Sequence, residues 1–410
     1  MTHTDSAGTA PRKIGLALAG GVLEGGFYEI GVLCALEDAV EGLDFTRAGV
    51  YVGVSSGAIL ASLLANGVAP RTLSRAILSR AEDPLLNLNP DILFTPAVRE
   101  YARRVGKLPG LLARWARRRI ERPLDISVIG SLLELGALAP VGIFDSAPME
   151  RYLARIFTTG GRSNDFRRLP GALRVVAVKL DSSELVTFGA AGKDHVPISR
   201  AVQASISLPG LYCPVEIEGE HYIDGVARRT LNASVALDEG ADLLFCVNPI
   251  VPVDVKAPNG NGARPRTLTD YGLPAVLSQT FRTAIHSRMG TGFRSYAHTY
   301  PDADVLLVEP ELTDQRMFFS NIFSFSNRRE VCEHAYARTL EHLRQHAAEV
   351  GEKLERHGMR LRAEVLDDPT RRLFRDEELA PPTVRGVTGE IREVLDRLGN
   401  VLDRMGAPAA

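Results

Sequence analysis

The stretch that most limits what this chain can become is Val50-Tyr51-Val52-Gly53-Val54-Ser55-Ser56-Gly57-Ala58-Ile59-Leu60. Its apolar, β-branched start reads as a buried strand. Small and apolar residues then continue at helical spacing to Asn66-Gly67, a helix stop. Strand, tight turn and helix are the setting that the pattern G-x-S-x-G requires. Ser55 stands at the apex, and Gly53 and Gly57 relieve the crowding on either side. The turn lifts the Ser55 hydroxyl out of the sheet and leaves a helix N-terminus beneath it, which favours developing negative charge. A plain helix start capped by Ser55-Ser56 fits the same residues without any chemistry.

A second strand-and-loop unit lies upstream. Ile14-Gly15-Leu16-Ala17-Leu18-Ala19 reads as a buried strand running into Gly20-Gly21-Val22-Leu23-Glu24-Gly25-Gly26, with a helix expected over 27–40. A glycine-rich loop of this kind gathers backbone N–H groups that can hold a phosphate or an oxyanion. It can equally serve only to let helix and strand pack closely. The dinucleotide fingerprint fails at Val22, and the Walker pattern fails because no Lys-Ser or Lys-Thr follows. The two loops are about 30 residues apart, which suits one βαβ unit with both loops at the same sheet edge. Donors of the first would then face the Ser55 hydroxyl, the layout of an acyl-transfer site.

Composition narrows the class. With 410 residues, 45% hydrophobic and 24% charged, the chain reads as a soluble globular protein with a substantial core. A formal net charge of -2 gives no global field to attract nucleic acid. Cys34, Cys213, Cys246 and Cys332 show no metal-ligand spacing and suit a reducing compartment. Residues 1–12 are polar, expected to be disordered, and carry no secretory-signal pattern. No stretch approaches the roughly 18 apolar residues of a membrane span. The expected location is cytoplasmic, with peripheral membrane contact.

That contact is suggested by residues 99–122. Arg99, Arg103, Arg104, Lys107, Arg114, Arg117, Arg118, Arg119 and Arg122 are opposed only by Glu100 and Glu121, and Trp115 is the single tryptophan. Apolar residues interleave with them, so the segment can lie on an anionic lipid surface as a lid inserted between the two halves of the site. A solvated helix face is the alternative. Pro109-Gly110 is expected to split the segment into two helices.

Further along, strands are expected over 173–180, 185–188, 243–249 and 305–309. Helices are expected over 199–208, 273–297 and 328–355, with a loop over 251–271. Tyr222-Ile223-Asp224-Gly225-Val226 places an aspartate on a tight turn after a strand. A serine nucleophile needs a proton acceptor. His286 and His298 follow Asp224 but fall in a predicted helix, and His221 shares a strand face with Ile223. Asp224 can act as the base itself if its pKa is raised toward neutrality; an ordinary Asp-Gly hairpin turn is the competing reading.

Three segments resemble the patatin-like phospholipases. They are the loop from Leu16 to Gly25, the elbow Gly53-Val54-Ser55-Ser56-Gly57, and Ala204-Ser205-Ile206-Ser207-Leu208-Pro209-Gly210 with the later Asp224-Gly225. The continuation from Tyr28 to Leu33 is similar to one bacterial branch. The resemblance implies an α/β fold, a three-layer α/β/α sandwich around a mainly parallel sheet, here with a helical C-terminal appendage. The resemblance covers roughly residues 13–250; composition, which turns charged after Asp367-Asp368-Pro369, sets the expected domain at 13–365, with 95–138 as the basic insertion and 366–410 as the extension. The resemblance implies hydrolysis of lipid or acyl esters by a Ser55–Asp224 dyad without a histidine. Backbone N–H groups of Gly20, Gly21 and Val22, helped by Ser56, would form the oxyanion hole. Gly25, Gly53, Gly57 and Gly225 would be the motif glycines. No metal or organic cofactor is implied. Two departures stand out: Val22 replaces the family's third loop glycine, and Glu24 its usual arginine. Acyl transfer by the same dyad, or a catalytically silent lipid-binding relative, are the rival readings.

Overall fold

The computed structural model describes residues 13–79, 81–121, 136, 139–256, 267–319 and 325–374. The chain divides into two compact units, 1–371 and 372–410, and the architecture that follows is that of the first. It opens with β1 (Ile14–Leu18), α1 (Val22–Ala39), β2 (Val40–Glu41), β3 (Val50–Val54), α2 (Ser56–Ala65), α3 (Pro70–Ile77) and α4 (Val98–Glu121). It continues through β4 (Gly142–Phe144), α5 (Ala147–Phe157), β5 (Ala172–Lys179), β6 (Leu185–Phe188), α6 (Ile198–Ser205), β7 (Gly210–Tyr212), β8 (Val215–Ile217), β9 (Glu220–Asp224) and α7 (Ala233–Asp238). It closes with β10 (Leu243–Val247), α8 (Gly272–Thr299), β11 (Asp304–Val308), α9 (Gln315–Phe319), α10 (Arg328–Gln345), α11 (Ala347–Arg356), β12 (Arg360–Leu361) and α12 (Ala363–Leu366).

The apolar runs without alternation become interior strands, as expected where both faces of a sheet are covered. Strand order is β11-β10-β1-β3-β5-β9-β8, with β6 pairing β5. The pairs β11–β10, β10–β1, β1–β3 and β3–β5 are parallel, while β6, β8 and β9 run antiparallel to their neighbours. On one face Ala17, Val52, Val54 and Cys246 form a cluster with Ala233, Ala236 and Leu237 of α7. The opposite face holds α1 and α2; there Phe45 and Phe245 meet edge-on with ring centroids 5.4 Å apart. The result is a mainly parallel sheet between helical layers.

Four expectations are corrected. Helix α1 starts at Val22 rather than 27, because Gly21 closes directly over Gly25 and leaves room for a helical turn straight after the strand. Helix α4 runs unbroken through Pro109, so the basic segment is not split. Proline removes one hydrogen bond, and the good helix formers on both sides carry the helix past it. The long 328–355 helix is interrupted at His346, which ends α10 and starts α11. Helix α6 stops at Ser205 because Pro209 disfavours helical geometry at Leu208.

The expected disordered N-terminus (1–12), residues 122–135 and 137–138 of the basic insertion, 257–266 of the loop and the helix over 390–405 lie outside the described residues. So do the side chains of Arg114, Trp115, Arg118 and Arg119; Arg117 is exposed on α4. Among the described residues no helix is long and apolar enough to cross a membrane.

Candidate active site

The parallel pairing of β1 with β3 sets Leu18 beside Gly53, so the chain leaves both strands at one sheet edge. There α1 and α2 begin at Val22 and Ser56, and two helix N-termini face the same region. Ser55 itself sits at φ 54°, ψ -123°, a strained conformation for a residue with a side chain. Close approach explains the flanking glycines. A Cβ on Gly53 would lie 2.5 Å from Gly57 O, and one on Gly57 would lie 2.5 Å from Ala19 O. Asn66 and Gly67 end α2, with Gly67 at φ 79° and its N–H donating to Leu64 O.

Strand β5 lies between the elbow and Asp224. Val54 pairs with Val176 on one side of β5, and Asp224 pairs with Ala177 on the other. Asp224 therefore reaches the same region from the antiparallel part of the sheet. It is 1% exposed and starts a short 3-10 turn (Gly225–Ala227), not a hairpin. Its Oδ1 accepts the Val226 N–H at 2.9 Å, while Oδ2 has no hydrogen-bond partner. Burial pushes the carboxyl from its ordinary 3.8 up to about 7; the Ser55 hydroxyl and the Val226 N–H pull it back. Gly225 lets the turn press on β5, since a Cβ there would meet Val176 O at 2.7 Å.

The four expected oxyanion donors are not equivalent. Gly20 N–H donates to Thr230 O at 3.2 Å, and Gly21 N–H donates to the Ser56 hydroxyl at 3.0 Å. The N–H groups of Val22 and Ser56, each first in its helix, have no hydrogen-bond acceptor among the described residues. Val22 also adopts φ 56°, although a β-branched residue resists that region. Glu24 lies just beyond, 4% exposed; burial lifts its carboxyl to about 7, and Arg282 draws it down. Motif glycine Gly25 packs against Pro249, where a Cβ would come within 2.9 Å of Cγ.

The family model for patatin-like phospholipases matches residues 16–237, more than half of the chain. The chain belongs to the patatin-like phospholipase family. Among solved structures, VipD from Legionella pneumophila is similar at 15% identity, covering 82% of this chain and 68% of that one with a TM-score of 0.34. So distant a likeness carries no argument.

Within this patatin-like site one residue goes beyond the sequence reading. Ser205, fully buried, accepts the Ser55 N–H at 2.9 Å and donates to Val176 O at 2.7 Å. It ties the elbow backbone to β5. Its sequence signal is the serine of Ala204-Ser205 at the start of the third motif segment. None of His221, His286 and His298 shows a hydrogen bond to Ser55 or Asp224 among the described residues. His221 is half exposed and 3.9 Å from Asp181, His286 faces Glu309 at 3.3 Å, and His298 is exposed. Among the described residues no group of three or more His, Cys, Asp or Glu is placed to hold a metal ion.

Proposed function

We propose that this patatin-like chain is a serine lipid acyl hydrolase with a Ser55–Asp224 dyad. The Ser55 Oγ attacks the ester carbonyl carbon while its proton passes to Asp224 Oδ2. The oxyanion is held by the Val22 and Ser56 N–H groups at the two helix N-termini. Gly21 N–H joins them if the Ser56 hydroxyl turns away. Collapse expels the alcohol, which takes the proton back from Asp224 and leaves an acyl-enzyme on Ser55. Water then attacks that ester and gives a proton to Asp224; collapse releases the carboxylic acid as Ser55 Oγ takes that proton back, which restores the hydroxyl and the free carboxylate. No histidine is needed, because a carboxyl lifted to about 7 is basic enough to serve near neutral pH. The single observation that carries this reading is the buried Asp224 with Oδ1 fixed and Oδ2 unpartnered, across β5 from the strained Ser55.

The substrate class we infer is a lipid ester met at a membrane surface, with basic helix α4 supplying attraction to anionic head groups. Arg114, Trp115, Arg117, Arg118 and Arg119 belong to that part of the proposal. The test of the dyad is hydrolysis of a soluble p-nitrophenyl ester by folded Ser55→Ala and Asp224→Asn. Each should lose on the order of 10³-fold or more. Near-normal turnover in either removes the dyad.

A further inference from the structure

Helix α8 joins the parallel strands β10 and β11, so its N-terminal half stands at the sheet edge that carries Ser55. It is 28 residues long, about 42 Å at 1.5 Å per residue, against about 17 Å for a five-residue strand. It therefore overhangs that edge by several turns. Its two halves treat their inward face in opposite ways. In the C-terminal half Met289, Phe293 and Tyr296 pack on the apolar core. In the N-terminal half the inward residues are polar. Gln279 accepts the Val253 N–H at 3.0 Å and donates to Val253 O at 2.8 Å. Arg282, 9% exposed, donates to Val251 O at 3.1 Å.

The outward side of that half is mainly apolar, with exposed Thr280 the polar residue within it. Leu273, Val276, Leu277 and Phe281 are 68, 38, 46 and 65% exposed. At about 100° per residue they fall on one arc, opposite Gln279 and Arg282. This amphipathicity is the inverse of a water-facing helix and suits contact with hydrocarbon. Charge points to the same occupant. Helix α8 contains no Asp or Glu, and Arg288 and Arg294 are exposed along it, which complements anionic head groups. The stripe is also tied to the catalytic loop. The 251–253 segment gripped by Gln279 and Arg282 follows Pro249, and a Cβ on Gly21 would lie 2.6 Å from Pro249 Cγ.

We propose that the N-terminal half of α8 is the membrane-insertion surface, with Leu273, Val276, Leu277 and Phe281 entering the acyl region of an anionic lipid bilayer. Its purpose rests on the lipid hydrolase reading; its binding test does not. The full chain is sedimented with vesicles of mixed phosphatidylglycerol and phosphatidylcholine, and with phosphatidylcholine alone. The same is done for Leu277→Asp/Phe281→Asp and for the conservative Leu277→Met/Phe281→Trp. The aspartate pair should lose about 100-fold or more in partitioning to the anionic vesicles, and the conservative pair should keep it. Hydrolysis of a short soluble ester and the denaturation midpoint should match the wild type in both. Unchanged partitioning of the aspartate pair overturns the inference. A wild-type dimer in solution that the aspartate pair dissolves also overturns it, because the stripe then covers a second copy. Vesicle binding lost in the aspartate pair while no form of the chain hydrolyses any ester leaves the inference standing and removes the hydrolase reading.

Discussion

Asp224→Asn should make the protein more stable and less active, and the stability gain should depend on pH. Burial lifts the Asp224 carboxyl from 3.8 to about 7 in the folded chain. Between those values the folded state holds a proton that the unfolded state has released. Stability therefore falls as pH rises through the window, and the loss is complete above the folded pKa. At about 1.4 kcal/mol per pH unit the full difference corresponds to about 4 kcal/mol. Asparagine keeps the shape, and its Oδ1 can still accept the Val226 N–H, but it has no charge to desolvate. Part of the loss is already present at about pH 5, so the gain from the substitution should widen by about 2–3 kcal/mol between about pH 5 and about pH 8.5. Glu24 and Glu37 are also lifted to about 7 by burial, but they titrate in both proteins and cancel. The assay is urea denaturation of both proteins at the two pH values, extrapolated linearly to water. A gain that does not change with pH, or a variant less stable at the higher pH, refutes the reasoning.

Three other outcomes follow from the same geometry. His221→Ala, His286→Ala and His298→Ala should each keep ester hydrolysis within about tenfold, less than a general base contributes; a loss as deep as that of Ser55→Ala in a folded variant would install a histidine as base. Ser205→Ala should cost about 1–3 kcal/mol in denaturation, since it leaves the buried Ser55 N–H unpaired. It should also lower kcat more than it raises KM, and unchanged stability and turnover would show that the elbow does not depend on it. Val22→Gly should gain about 1 kcal/mol by releasing the positive φ, where valine is strained and glycine is not; a clear loss of stability would mean that the valine contacts outweigh the strain.

Much of the sheet could be read from the sequence because its interior strands are continuous apolar runs. Leu185–Phe188 matches its expected bounds, and the strand expected over 243–249 forms over Leu243–Val247, stopping where Asn248 and Pro249 leave the sheet. The elbow was legible for a different reason: its pattern is local in sequence, and Gly53 is crowded by Gly57 and Ala58 a few residues on, although the close approach at Gly57 is to Leu18 and Ala19 at the end of β1. What escaped depended on distant partners. The start of α1 at Val22 reflects Gly21 against Gly25 and Pro249, and Pro249 is more than two hundred positions away in the chain. The engagement of Gly20 and Gly21 N–H groups by Thr230 O and the Ser56 hydroxyl has no local signature. The positive φ of Val22 runs against local preference, and the fold imposes it. The inward polar face of α8 looks in sequence like an ordinary amphipathic helix, and only burial reveals which side is wet.

The most direct test of the proposed dyad is the rate at which a fluorophosphonate labels the chain across pH, with the adduct located by peptide mass. The account predicts a single adduct on Ser55. Its rate should rise about tenfold per pH unit and level off near 7, as the Asp224 carboxyl loses its proton and becomes available as base. An adduct on any other residue, or a rate on Ser55 that does not change across that range, would contradict it.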